Sequence, residues 1–314
     1  MRSRLMNLEQ TFTLAHLSDP HLAYHQDIRL VDLFNKRFFG FMKWRLKRSA
    51  EHRLNLLSAL VDDVKAQQPD HIVITGDLTH LGLPAEYAQA KEVLKAFGPP
   101  SWITVIPGNH DAYVDGALEG CAAHWSDYII SDQADINPDE SISAEALFPS
   151  LRVRGPFALI GVCTARPCNA VLAVGSIGKN QLQRLRKLLN RTGQQGLYRV
   201  VLIHHPPVSG IVSWRKRLTD AKAFRTIVAQ HGAELILHGH AHRYSLEQLK
   251  TPQGYAPVIG ISSATAAVED SKRRARYHLY RLSQAIDKLE VRVTVRSYIN
   301  QKDCFGTEEE FRLP

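Results

Sequence analysis

Short apolar runs typical of buried β-strands alternate along this chain with longer stretches of helical periodicity. The first helical stretch carries four apolar residues on one face, Leu54, Leu57, Val61 and Val64. Further helices are predicted over about residues 85–97, 179–190 and 220–232. Strands are predicted at residues 12–17, 71–75, 102–106, 157–161, 199–203 and 234–237. Three later runs alternate in polarity as antiparallel strands do, at residues 257–262, 277–282 and 290–297.

This order of elements predicts an α/β fold built as a four-layer α/β/β/α sandwich, in which two mixed sheets pack face to face between flanking helices. We expect a single domain over residues 10–300, because no linker or internal repeat interrupts the alternation. A basic and aromatic insertion is expected at about residues 30–50, and a cap at about residues 112–150, where the pattern is less regular and richer in acidic groups. Residues 301–314 are expected to form a C-terminal tail.

Polar side chains with metal-binding chemistry follow five of the apolar runs. Because the strand ends of an α/β sheet share one edge, these groups are expected to converge on one small volume. Gathering so many polar groups would be costly without compensation, and a metal centre supplies it. The five blocks are Asp19-Pro20-His21, Gly76-Asp77, Gly108-Asn109-His110-Asp111, His204-His205-Pro206-Pro207 and Gly239-His240-Ala241-His242.

The ligand types in these blocks indicate the kind of metal. Asp19 and His21 are two residues apart, so on a strand they point the same way, and they either hold one ion together or divide between two. The two oxygens of the Asp77 carboxylate can each take one ion. Oxygen and nitrogen ligands without thiolate suit manganese, iron, cobalt or zinc. Each block alone is also common in turns and caps, but the ordered set behind successive strands favours a metal site.

Composition indicates the size of the core, the cellular compartment and the charge of the partner. With 314 residues and 44% hydrophobic content, the chain can bury a large core. No run has the character of a signal peptide, and the four cysteines have no metal-binding spacing, so a reducing, cytoplasmic compartment is expected. The net charge of +8 suits an anionic partner, such as a phosphoester substrate, a nucleic acid or a lipid headgroup.

Together the blocks resemble those of the calcineurin-like metallophosphoesterases, over about residues 12–243. The resemblance implies two divalent metal ions, manganese, iron or zinc, and a catalytic histidine, His110, that contacts the phosphoryl oxygens or protonates the leaving alkoxide. It also suggests that Asp111 orients His110. His205 is an alternative to its neighbour His204 as a ligand, although the family's His-x-Pro pattern favours His204. The implied ligands are Asp19, His21 and His242 for one ion, Asn109, His204 and His240 for the other, and Asp77 as the bridge between them.

The motifs are most similar to those of class III cyclic-nucleotide phosphodiesterases and related glycerophosphodiesterases. That branch implies hydrolysis of phosphodiesters by attack of a metal-bound hydroxide. The chain departs from the protein Ser/Thr phosphatases, which carry Asp-Arg shortly after Gly-Asp and Glu after Asn-His. It also has His80 where purple acid phosphatases have a tyrosine. The sequence identifies no substrate-binding residues and no oligomeric state.

Two basic segments extend this interpretation. Residues 34–48, from Phe34 to Arg48, carry six Lys or Arg, five aromatic and no acidic residues. They are interpreted either as a docking helix or as a segment that binds an anionic membrane surface at the inner face of the membrane. The membrane interpretation makes the protein a pyrophosphohydrolase or phosphodiesterase of a lipid-linked substrate such as UDP-2,3-diacylglucosamine. A less favoured alternative is a nuclease or nucleic-acid-binding protein. The second segment, Trp214-Arg215-Lys216-Arg217, is expected to add positive charge at the mouth of the site.

Overall fold

The computed structural model describes residues 11–22, 37–38, 42, 54–132, 146–169, 171–268, 270–285 and 288–313. Within these residues, two six-stranded sheets are flanked by five α-helices. The helices are α1 (Leu54–Ala66), α2 (Pro84–Phe97), α3 (Ala117–Ile129), α4 (Lys179–Gln194) and α5 (Ala221–His231). The strands are β1 (Phe12–Leu17), β2 (His71–Ile74), β3 (Ile103–Val105), β4 (Ser150–Arg154), β5 (Phe157–Val162), β6 (Tyr198–Ile203), β7 (Leu235–His238), β8 (Ser245–Thr251), β9 (Gly254–Gly260), β10 (Arg276–Ala285), β11 (Lys288–Ile299) and β12 (Cys304–Arg312).

Both sheets are mixed, as the sequence predicts. The first has the strand order β12-β11-β10-β1-β2-β3, in which β1, β2 and β3 are parallel and the other three strands are antiparallel to their neighbours. The second has the order β4-β5-β6-β7-β9-β8, with a parallel centre and antiparallel edge strands. The parallel strands end at one edge of each sheet, and the polar blocks lie there.

Side chains along the central strands alternate between the interface of the two sheets and the helices outside. Because successive side chains of a strand point to opposite faces, Val200 and Leu202 of β6 pack between the two sheets, whereas Val201 and Ile203 pack against α4 and α5. The rings of Phe12 in β1 and Phe157 in β5 meet across the interface, with centroids 4.8 Å apart. The helices α1, α2 and α3 cover the first sheet, which completes the four predicted layers.

Two segments differ from expectation. Residues Cys304–Arg312, placed in a C-terminal tail by the sequence analysis, form β12 and pair along β11. The run Glu308-Glu309-Glu310 hides this strand in the sequence, because an edge strand has one open side and tolerates such charges. In the predicted cap, residues 133–145 lie outside the described residues, while α3 belongs to the core and its Trp125 is fully buried.

None of the described helices is both long enough and apolar enough to cross a membrane.

Candidate metal centre

The backbone at the strand ends adopts a conformation that L-residues rarely use. Asp19, His21, Asp77, His240 and His242 all have positive φ, between 44° and 64°. Among the described residues other than glycine, only Gln68 and Asp303 share this property. Left-handed backbone costs free energy and persists where the surrounding structure imposes it. Its concentration at these five positions marks the strand ends as a functional site.

The first group of candidate ligands comprises Asp19, His21, Asp77 and His242, whose ligand atoms lie within 4.8 Å of one another. The Nε2 atoms of His21 and His242 face each other at 3.0 Å. The Asp19 Oδ1 atom lies 3.2 Å from His242 Nε2 and accepts no hydrogen bond from any described residue, although it is buried. Converging imidazole nitrogens around a buried carboxylate oxygen form a pocket suited to a cation.

The second group comprises Asp77, His204 and His240, which meet the same distance limit. His204 Nε2 lies 3.4 Å from Asp77 Oδ2 and 3.3 Å from Asn109 Oδ1, so the amide of Asn109 joins this group. The other ring nitrogen of His204 lies 2.6 Å from the Thr75 carbonyl oxygen. Donation to that carbonyl fixes the tautomer and leaves Nε2 as the candidate ligand.

Asp77 belongs to both groups, but through one oxygen rather than two. Its Oδ2 atom lies 3.4 Å from His204 Nε2 and 3.8 Å from His21 Nε2. Its Oδ1 atom accepts a hydrogen bond of 2.8 Å from the backbone N–H of His110. The sequence analysis noted that each oxygen can take one ion, and here the Oδ1 atom also accepts a hydrogen bond from the backbone of the neighbouring block.

His110 lies beside the first group. Its ring centroid is 4.8 Å from that of His21, and its Nδ1 lies 2.6 Å from the carbonyl oxygen of His80. The ring of His80 stacks on that of His110 at 5.3 Å. His21, His80 and His110 together form a third group with ligand atoms within 4.8 Å. The sequence analysis noted His80 as a departure from relatives and did not predict this contact.

Asp111 does something other than orient His110. Its buried carboxylate accepts hydrogen bonds from the backbone N–H groups of Leu78, Thr79 and Gly108 and from the Thr79 hydroxyl, at 2.8 to 3.3 Å. These donors lie on the two loops that carry Asp77 and His110. Asp111 therefore ties the loops together, and the His80 carbonyl faces the His110 ring.

The loops after β2 and β3 approach so closely that a side chain would not fit between them. A Cβ atom on Gly108 would overlap the Asp77 carboxylate and lie 2.7 Å from His204. The glycine thus permits the approach of backbone to ligand that the site needs.

His205 is held away from the ligand groups. Its Nδ1 lies 2.7 Å from the Thr164 hydroxyl and its Nε2 lies 3.2 Å from the Ala173 carbonyl oxygen. Burial, together with the neighbouring His204, lowers the pKa of His205 to about 3. A neutral ring with both nitrogens engaged by the protein is a supporting residue, and His204 is the member of the pair that faces the site.

The charges around Asp77, the residue shared by both ligand groups, favour its ionised form. Burial opposes ionisation of Asp77, but the imidazoles of His204, His110 and His21 outweigh it and hold the pKa of Asp77 well below its usual range. Burial likewise opposes charge on His204, yet the Asp77 carboxylate raises the pKa of His204 to about 9. The site already stabilises negative charge on Asp77 with adjacent positive charge, a role that a divalent cation would take over.

Residues 263–265, which the sequence analysis did not identify, hold the backbone of residues 18–20 in place. The Ser263 hydroxyl donates to the Asp19 carbonyl at 2.6 Å, and the Thr265 hydroxyl donates to the Pro20 carbonyl at 2.7 Å. The Ala264 N–H donates to the Ser18 carbonyl at 2.8 Å. No sequence pattern distinguishes this Ser-Ala-Thr run, because its role depends on contact with a loop far away in the chain.

All seven predicted ligands and His110 thus lie around one volume at the strand ends. The donor set contains imidazole nitrogen, carboxylate oxygen and amide oxygen without thiolate, and it divides into two groups that share Asp77. This set fits a pair of divalent cations.

Comparison with known proteins supports the same view. The profile of the calcineurin-like phosphoesterase family matches residues 12–244. A probable glycerophosphodiester phosphodiesterase of Arcobacter nitrofigilis is 28% identical, over 57% of this chain and 58% of that protein. A cAMP/cGMP dual specificity phosphodiesterase of Mycobacterium tuberculosis is 24% identical, over 82% of this chain and 69% of that protein. The chain thus spans less than two thirds of the first of these two relatives.

Solved structures share the fold at low identity. A dimetal phosphatase from Danio rerio superposes with a TM-score of 0.58 and 13% identity, over 96% of this chain and 98% of that one. The purple acid phosphatase PPD1 from yellow lupin gives a TM-score of 0.60 and 10% identity, over 96% of this chain and 53% of that one. Since the family profile covers most of the chain and the two sheets match solved structures of this architecture, the protein belongs to the calcineurin-like phosphoesterase family.

Proposed function

We propose that this protein is a dinuclear-metal phosphoesterase that hydrolyses phosphodiesters of the cyclic-nucleotide or glycerophosphodiester type. The observation that carries the proposal is the pair of ligand groups that share Asp77, with His110 beside them. The activities for which the relatives in Arcobacter nitrofigilis and Mycobacterium tuberculosis are named support the diester class.

In this proposal Asp19, His21 and His242 hold one ion, Asn109, His204 and His240 hold the other, and Asp77 contacts both. Manganese, iron or zinc are the proposed metals, because the ligands offer only oxygen and nitrogen. When bound, two such ions supply Lewis-acid charge for the phosphoryl oxygens and a nucleophilic water at neutral pH.

The protein's own contribution is to position these groups and to handle one proton. With Nδ1 facing the His80 carbonyl, the His110 ring presents Nε2 as its second polar atom. In the neutral ring the proton lies on Nδ1, so it is the imidazolium, protonated at both nitrogens, that can donate from Nε2 to a phosphoryl oxygen or give that proton to the leaving alkoxide oxygen. Asp111 keeps the loops of Asp77 and His110 in register, so both groups meet the substrate in one geometry.

The experiment is a substrate panel on protein reconstituted with manganese. It should include bis(p-nitrophenyl) phosphate, p-nitrophenyl phosphate, 3′,5′-cyclic AMP and glycerophosphocholine, with parallel elemental analysis. We expect two ions per chain and a higher kcat/KM for the diesters than for the monoester. Fewer than two ions bound at saturation, or hydrolysis of the monoester alone, would contradict the proposal.

A second candidate, an enzyme acting at a membrane surface, has one observation in its favour. Arg37, from the basic segment 34–48, donates from Nε to the Leu81 carbonyl at 3.0 Å and from Nη2 to the Gly82 carbonyl at 2.5 Å. Leu81 directly follows His80, so this part of the segment lies next to the site. Phe38 is 49% exposed. The rest of the segment, apart from Met42, lies outside the described residues.

Vesicle co-sedimentation tests this candidate. Binding to phosphatidylglycerol vesicles that falls when Phe38 and Met42 are both changed to serine supports a membrane role. Absence of binding at low salt by the unaltered protein would leave the soluble phosphodiesterase as the better description.

A further inference from the structure

A short basic loop, residues 213–218, stands beside the second ligand group. Trp214, Arg215, Lys216 and Arg217 are all exposed, and Trp214 keeps 64% of its surface in solvent. We call residues 213–218 the basic loop.

The backbone of this loop is fixed against the body of the protein. The Arg215 carbonyl accepts a hydrogen bond from the Ala173 N–H at 2.8 Å, and the Arg217 carbonyl accepts one from the Gly175 N–H at 3.1 Å. Leu218 closes the loop as a buried anchor, 3% exposed. Cations on a fixed backbone lose little freedom when an anion binds, so they are preorganised.

The loop is tied directly to a candidate ligand. The Lys216 carbonyl oxygen lies 3.0 Å from His240 Nε2, so the ring donates to this carbonyl and its Nδ1 is left for the metal. Just before the loop, the Ile211 carbonyl accepts a hydrogen bond from Arg243 Nη2 at 2.7 Å, which holds the preceding backbone next to the block that contains His240 and His242. The loop is therefore part of the wall on the His204–His240 side of the centre.

Its arginines are held by an aromatic ring rather than by acids. The guanidinium carbons of Arg215 and Arg217 lie 5.5 and 5.8 Å from the centroid of the Trp214 ring. Arg217 Nη1 also donates to the Trp214 carbonyl at 2.5 Å. Over the part of the chain that the structure describes, neither arginine forms an ion pair with a carboxylate. The loop that carries these two guanidinium groups contacts His240, and guanidinium groups whose charge is not neutralised match a phosphate group in charge and hydrogen-bond geometry.

We infer that the basic loop binds a second phosphate group beside the phosphodiester at the candidate metal centre, so that the preferred diesters carry a further neighbouring phosphate, as esters of nucleoside diphosphates do. This inference rests on the proposed function, because the first phosphate must occupy the candidate metal centre. It names the substrate class within the phosphoesters and assigns substrate-binding residues, which the sequence analysis left unidentified.

The test measures binding as well as turnover. Calorimetry on the metal-loaded protein compares adenosine 5′-(α,β-methylene)diphosphate, which resists hydrolysis at its carbon bridge, with AMP. Arg215→Gln/Arg217→Gln is the test variant. The matched control is Arg281→Gln/Arg292→Gln, which removes the same charge from exposed, paired positions on β10 and β11. Arg281 pairs with Thr13 at the start of β1, away from the strand ends.

We expect the unaltered protein and the control to bind the diphosphate about tenfold more tightly than AMP, as one added charge-assisted contact of about 1.4 kcal/mol requires. In the test variant this ratio should fall to about one, while the amount of metal bound per chain, measured by elemental analysis, stays the same. A ratio that is unchanged in the test variant, or lost equally in the control, would overturn the inference.

Two further outcomes distinguish diphosphate binding by the loop from lipid binding, and the failure of this inference from the failure of the proposed function. If phosphatidylglycerol vesicle binding depends on Arg215 and Arg217 while no diphosphate preference exists, the loop binds lipid headgroups and the substrate assignment is wrong. If the metal-loaded protein keeps the diphosphate preference but hydrolyses no diester, the loop assignment stands and the proposed function fails.

Discussion

Histidines in the two sheets occupy two kinds of position, the carboxyl ends of strands and the strands themselves. At the strand ends, ring nitrogens of His21, His204 and His242 lie between 3.2 and 3.8 Å from an aspartate oxygen. Within the strands, His71 and His278 instead meet a threonine or tyrosine hydroxyl, at 2.8 and 3.2 Å. All of these side chains except His242 are buried, so burial does not distinguish the two sets.

The difference appears in their charge. At the strand end, the Asp77 carboxylate overcomes burial and raises the pKa of His204 to about 9. Within the strands, burial, aided by nearby arginines, lowers the pKa of His71 and of His278 to about 3. His204 thus carries positive charge because a carboxylate faces it, whereas His71 and His278, which face a hydroxyl, are neutral core residues.

The largest effect is expected at the residue shared by both ligand groups. Asp77→Asn removes the bridging charge, and we expect loss of bound metal and a fall in kcat/KM of at least about 10³-fold, since such charge stabilises the transition state by several kcal/mol. Elemental analysis and diester turnover measure both changes. Asp132→Asn is the control, because it alters an ion pair with Arg154 and a hydrogen bond from the Val153 N–H, both outside the ligand groups. Full metal content in Asp77→Asn would show that the carboxylate is not a ligand.

A smaller effect is expected at His110, the strand-end histidine to which the proposed function assigns proton donation rather than metal binding. In His110→Gln we expect both ions to remain and kcat for a poor leaving group to fall about 10²- to 10⁴-fold, because proton donation is lost. His231→Gln, at the end of α5, should change neither quantity. The assignment fails if the variant loses metal in proportion to activity.

Substitution of a histidine within a strand should change the pH dependence of folding stability rather than turnover. The pKa of folded His278 lies below the ordinary value, so between pH 6.5 and about 3 the unfolded chain binds more protons. Its contribution to stability is present above pH 6.5 and is lost as the pH falls, at up to about 1.4 kcal/mol per pH unit. In His278→Gln the denaturant midpoint should decline less steeply between pH 7 and pH 5. A slope equal to that of the unaltered protein would place the acid sensitivity elsewhere.

Glu86 provides a smaller effect of opposite sign. It lies in α2 and accepts hydrogen bonds from the Leu81 and Leu83 N–H groups, and burial raises its pKa to about 7. The folded chain therefore binds more protons between pH 4.5 and 7, and stability falls as the pH rises through this window. Glu86→Gln should remove that decline. The denaturant concentration at the unfolding midpoint should then change less between pH 5 and pH 8 than in the unaltered protein. A steeper decline in the variant would rule this explanation out.

Much of the fold follows from local pattern. The helix boundaries at Phe97 and Lys179 and the strand Phe12–Leu17 agree with the sequence analysis, because apolar periodicity and glycine or proline stops are local signals. The edge strand β12 was missed because its partner β11, rather than its own composition, stabilises it.

For the site, the sequence by itself determined which residues are the candidate ligands. Each ligand block follows its own strand, and parallel strands deliver their ends to one edge whatever the details of packing. The tertiary structure decided which of those side chains contact one another. His21 meets His242 across 221 positions, Asp77 uses one oxygen for both groups, and Asp111 ties two loops instead of facing His110. Such contacts depend on loop geometry and on neighbours distant in the chain, whereas residue type and spacing report only on neighbours along the chain.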